Sequence, residues 1–164
     1  MAVEPQITAR HVGGVEKPAS AETRQHLLVE ADEPVKYRRV QLSCGHHVLS
    51  EADNWYVPSR LSEEMNHLLE ATETPFGKVV LALEPFRKTI DAKMLWSPLP
   101  EGWESEGKGA LKERDAATGV LDIPHEIFEH RAILYAREQE PFSEVDETYT
   151  GEILDFEIKP APGP

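Results

Sequence analysis

Two side chains on separate strand-like segments carry the clearest chemical potential here: Arg39 in "VKYRRVQLS" (35–43) and Glu147 in "FSEVDETYTGEIL" (142–154). A sheltered guanidinium grips a carboxylate through two parallel hydrogen bonds. A carboxylate on a neighbouring strand accepts from a hydroxyl or moves a proton. The competing account is an exposed ion pair across a sheet, worth little, and spacing alone favours it. Alternation puts Tyr37, Arg39 and Gln41 on one side of the first strand, with Arg38, Val40 and Leu42 on the other. On the second strand, Val145, Glu147 and Tyr149 share a side opposite Glu144, Asp146 and Thr148.

Other chemistries find less support. His46 and His47 are adjacent, and His125 and His130 are five apart. Neither spacing sets two imidazoles on one helix face, and neighbours on a strand point apart. No metal site is expected. The lone Cys44 has no nucleophile motif around it, and a single cysteine is more often a small buried hydrophobe. No phosphate loop or nucleophile elbow occurs.

The elements that must position these groups follow from periodicity and turn chemistry. Residues 6–12 alternate weakly, and Ser20 is placed to cap a helix over 21–30. Strands over 35–43 and 48–57, joined by "CGHH", make a hairpin that Pro58 ends, because proline cannot donate to a ladder. The stretch "LSEADNWYVP" (49–58) is then the second hairpin strand, polar on one face and ending in aromatics. Ser62 caps a helix over 63–72 with Met65, Leu68 and Leu69 on one stripe. "TPFGKVVLAL" (74–83) reads equally as a short helix opened by Thr74-Pro75 or as a buried strand. Further strands are expected over 86–95, 127–136 and 142–154. Residues 97–119 form a long Pro/Gly-rich connection, and 159–164 a disordered tail. Hairpin-type strands with few helices indicate α+β, an antiparallel sheet with helices on one face, as a single domain over 1–158.

Bulk composition narrows the function. The 164 residues are 40% hydrophobic and 29% charged, enough for one domain with its own core. Thirty acids against 17 bases give a net charge of −13, which argues against a nucleic-acid partner. No apolar run approaches the ~20 residues of a membrane helix, and no secretory leader is visible. With one cysteine no internal disulfide forms, so a cytoplasmic, monomeric protein is expected.

Three segments together carry a family resemblance. "YRRVQLSCGHHVLSEADNWYVP" (37–58) resembles the central hairpin of chorismate pyruvate-lyase, "TPFGKVV" (74–80) its Thr-Pro-Leu-Gly-Arg segment, and "PFSEVDETY" (141–149) its closing glutamate strand. The entry "EPVKYRRVQL" also resembles that of the related ligand-sensing UTRA domains of transcriptional regulators. The resemblance implies a six-stranded antiparallel sheet. It also implies cofactor-free elimination of pyruvate from chorismate to give 4-hydroxybenzoate, a step of ubiquinone biosynthesis. It places the carboxylate-binding arginine at Arg39, a ligand-facing backbone N–H at Phe76, and the hydroxyl-binding, catalytic glutamate at Glu147. The partner implied is a small aromatic or cyclic carboxylate. The alternative it allows is a non-catalytic UTRA-like sensor without a DNA-binding module. The sequence departs from the lyase pattern at Asn54, where an arginine is usual, and in lacking the N-terminal segment that contributes a methionine to the pocket.

Overall fold

The computed structural model describes residues 6–14, 16–99, 102 and 122–155. Most of the 97–119 connection and the 159–164 tail therefore lie outside the described residues. Six strands, β1 (Ile7–His11), β2 (Lys36–Cys44), β3 (His47–Tyr56), β4 (Phe86–Met94), β5 (Glu126–Tyr135) and β6 (Pro141–Thr150), form one sheet in the order β1-β2-β3-β6-β5-β4. Every neighbouring pair is antiparallel. The expected six-stranded α+β sheet is thus observed. Three short α-helices accompany it: α1 (Ala21–His26), α2 (Glu63–Ala71) and α3 (Phe76–Val79).

Local chemistry accounts for the boundaries. Cys44 pairs with His47, so the β2–β3 hairpin closes through Gly45 and His46. Gly45 takes φ +61°, a conformation that costs a residue without Cβ nothing. Ser20 and Ser62 cap α1 and α2, accepting from the N–H groups of Thr23 (3.0 Å) and Met65 (3.1 Å). α1 stops four residues short of the expected span for a tertiary reason. The Arg60 guanidinium donates to the carbonyls of Leu27 (2.5 Å), Leu28 (3.2 Å) and Pro141 (2.5 Å). The Leu27 and Leu28 carbonyls sit at the helix end, where Leu28 turns left-handed at φ 51°, and the Pro141 carbonyl ties that end to β6. The ambiguous 74–83 stretch is helical, α3 followed by a 3-10 turn at Leu81–Leu83. Pro75 precedes it and supplies no N–H that a strand ladder could use.

The two sheet faces differ in kind. On the inner face Ala9, Val40, Ala52, Ala132 and Val145 pack beneath Leu61, Leu69, Val79 and Val80 from the α2–α3 region. Phe76 adds its ring to Tyr56 (5.8 Å between centroids) and Phe142 (6.2 Å). The outer face is covered at one end only, where Leu27 at the close of α1 packs on Trp55 and Val57. Glu144, fully buried, fastens α1 there. It accepts from Arg131 Nε (2.9 Å) and Nη2 (2.6 Å), and has Thr23 Oγ1 at 3.3 Å and His26 Nδ1 at 2.8 Å. Burial alone would lower the Arg131 pKa, but Glu144 raises it on balance.

Candidate functional site

Cross-strand register decides which residues can meet, because directly paired residues project from the same face. Val40 pairs with Ala52 and Ala52 with Glu147, so Glu147 belongs to the inner face. Arg39 pairs with Asp53 and Asp53 with Asp146, which is the outer face. Arg39 and Glu147 therefore point to opposite sides of the sheet, and the single shared cavity expected for them does not exist. The inner face holds Arg87, whose Nη1 lies 3.9 Å from Glu147, and also Arg38, two strands away at about 4.8 Å per strand. Its companions Val40 and Leu42 are apolar, while those of Arg39 are Tyr37 and Gln41. That contrast is the local signal for which side of β2 faces the core.

Arg39 is tied up in a surface network. Its Nη2 donates to Glu51 (3.1 Å), and its Nε is 4.0 Å from Asp53. Gln41 donates to the other Glu51 oxygen at 2.8 Å. Hydrogen bonds from Gln41 and Arg39 hold the Glu51 carboxyl below its ordinary range. Tyr37 donates to Asp53 (2.6 Å), and burial together with that bond pushes its phenol to about 12. Arg39, Glu51, Asp53, Arg131 and Asp146 line an open hollow of about 310 Å³ on the outer face. Burial raises the Asp146 pKa there.

Arg38 is in the opposite situation. It is 6% exposed and, among the described residues, has no carboxylate partner. Only Nη2 finds neighbours, both distant: the Thr74 carbonyl at 3.4 Å and His11 Nε2 at 3.5 Å. Nε and Nη1 are buried without any acceptor. Burial pulls its pKa down. An ionised group out of water without compensation is expensive, so an unpaired buried guanidinium marks a place where an anion would be welcome. A groove of about 1100 Å³ where β2 runs past the end of β1 reaches this residue, bordered by His11, Lys36, Arg39, Tyr56, Leu69 and Glu70. Beside it on β3, Asn54 is 4% exposed; its Nδ2 donates to Ser143 Oγ at 2.8 Å, and its Oδ1 has no partner.

Glu147 forms a second inner-face polar centre. It is 5% exposed and accepts from Ser50 Oγ (2.7 Å) and Tyr149 OH (3.1 Å), with Arg87 Nη1 at 3.9 Å. Burial and the neighbouring Glu147 charge raise the Tyr149 pKa. Phe76 lies on the same face, its ring in the aromatic cluster. Trp55 stands on the outer face and so cannot fill an inner cavity. Among the described residues no group of three His, Cys, Asp or Glu side chains is arranged to hold a metal. No described helix is long and apolar enough to cross a membrane.

The same fold occurs in solved structures of GntR-family transcriptional regulators. The ligand-binding domain of a putative GntR-family regulator from Bordetella bronchiseptica superposes with TM-score 0.52 at 20% identity, covering 91% of this chain and 85% of that one. The C-terminal domain of the histidine utilization repressor from Pseudomonas syringae gives 0.52 at 12% identity, covering 96% and 100%. The possible transcriptional regulator YydK of Bacillus subtilis gives 0.54 at 16%, covering 96% and 63%.

By sequence, the chain is 45% identical over 157 residues to the uncharacterized protein y4mC of Sinorhizobium fredii, spanning 96% of this chain and 63% of that protein. The chain thus spans less than two thirds of that relative, as it does of YydK. No family model matches it. The structural neighbours described are named as regulators or their domains, and they lend the lyase expectation no support.

Proposed function

We propose that this chain is a small-molecule effector-binding domain and not a chorismate lyase. The observation that carries the reading is Arg38: a buried guanidinium with unpaired donors, at the floor of a groove, on a fold shared with ligand-binding domains. Such a residue holds the anionic end of a ligand. Glu147, with Ser50 and Tyr149, takes a polar group farther along the same face. Phe76 gives the apolar wall between them. The lyase reading required Arg39 and Glu147 to act on one substrate, and their opposite orientations remove its basis.

A thermal-shift screen of carboxylic acids and sugar phosphates tests the proposal, since a ligand that binds only the folded state raises the midpoint by mass action. At least one anion is expected to shift wild type and leave Arg38→Met unmoved. If no compound shifts wild type, or the shift survives in Arg38→Met, the reading fails. Release of pyruvate from chorismate at high protein concentration would restore the lyase.

A further inference from the structure

The inner face leaves two complementary buried groups unpaired side by side. Arg38 Nε and Nη1 are donors without acceptors, and Asn54 Oδ1 is an acceptor without a donor. The two residues are direct partners across the β2–β3 ladder, which puts their Cα atoms about 4.5–5.5 Å apart. Both are more than nine-tenths buried. The Asn54 amide donates through Nδ2 to Ser143 Oγ at 2.8 Å, which leaves Oδ1 as its unmatched end.

A bare carboxylate cannot serve both residues, because it only accepts. Arg38 needs an acceptor, ideally charged, while Asn54 Oδ1 needs an N–H or O–H. The short cross-strand spacing requires the two ligand groups to be neighbours.

We infer that the effector of this domain is a carboxylate bearing a hydrogen-bond donor on the adjacent carbon, as in 2-hydroxy and 2-amino acids, with Arg38 gripping the carboxylate and Asn54 Oδ1 accepting from the donor. This rests on the effector-binding reading above and narrows it. Arg38 sets affinity for the anion. Asn54 sets specificity, because a bound acid lacking the donor leaves Oδ1 buried and unmatched.

Titration calorimetry on the full chain with matched acids tests this. The probes are 2-hydroxy-2-phenylacetate against phenylacetate, and 2-hydroxy-3-phenylpropanoate and phenylalanine against 3-phenylpropanoate. A 2-substituted acid is expected to bind at least about tenfold tighter than its matched comparison acids. In Asn54→Leu that preference disappears while the weaker binding of the comparison acids remains. The matched acids on wild type stand as a test even if Asn54→Leu fails to fold.

Equal binding of substituted and unsubstituted acids overturns the inference, as an enclosed water linking Arg38 to Asn54 would produce. A 2-substituent preference that survives Asn54→Leu overturns it too. If only sugar phosphates bind, in an Arg38-dependent way, this inference falls and the effector reading stands. If neither acids nor sugar phosphates bind, both fall.

Discussion

Arg38 and Arg39 are joined by one peptide bond and stand on opposite faces of the sheet, the first buried without a counterion and the second half-exposed between Glu51 and Asp53. Strand geometry alone produces this difference, since successive side chains point to opposite sides. Side-chain entropy and salt screening leave the outer pair almost without net worth. The inner one is held out of water with its donors unmatched, a cost the fold tolerates at a binding site.

The first prediction separates the two arginines. Arg38→Met removes an uncompensated buried charge and keeps most of the volume. The ligand-free protein should be as stable as wild type or more stable by on the order of 1 kcal/mol. Arg39→Met should lose no more than about 1 kcal/mol and keep the ligand-induced shift. Urea unfolding with and without a binding acid measures both. Greater ligand loss in Arg39→Met would put the site on the outer face.

Glu144 is the buried hub that fastens α1 to β5 and β6. Glu144→Leu leaves Arg131 and His26 facing an apolar group and should destabilise by about 3 kcal/mol, read as a lower urea midpoint. An unchanged midpoint would mean that the Leu27–Trp55–Val57 cluster holds α1 unaided.

Phe142 is 1% exposed and bridges β6 to the α3 aromatic cluster. Phe142→Ala should cost about 3–5 kcal/mol through lost burial and the cavity left behind. A loss below about 1 kcal/mol would show that α3 collapses onto the gap.

Asp146 gives a pH signature. Its pKa is raised by burial on the outer face, so in the carboxylate range the folded state binds more protons than the unfolded one. Stability contributed by this group therefore falls as pH rises through that range. Asp146→Asn should be more stable than wild type at pH 7, with the difference vanishing below the ordinary Asp pKa of about 3.9. A difference that stays constant with pH in chemical denaturation would rule out this origin.

Much of the fold was legible because its cues are local. The Ser62 cap and the 63–72 stripe give α2, Gly45 gives the hairpin turn, and alternation gives β2, β3 and β6. The end of α1 was not legible, because it is set by Arg60, 33 residues from the Leu27 carbonyl it holds. Nor was 74–83, where apolar periodicity is too short to separate helix from strand. Of the expected site residues, Glu147 lies on the inner face with Ser50 and Tyr149 and Arg39 on the outer one, a division set by register that no local pattern carries.

By itself the sequence determined the strands, the helix caps and which residues alternate together along each strand, since these depend on neighbours within a few positions. Only the tertiary structure decided which alternating set of β2 joins which set of β6, because that depends on register through β3, where Ala52 links Val40 to Glu147. A shift of one residue exchanges the faces, and with them the choice between Arg38 and Arg39.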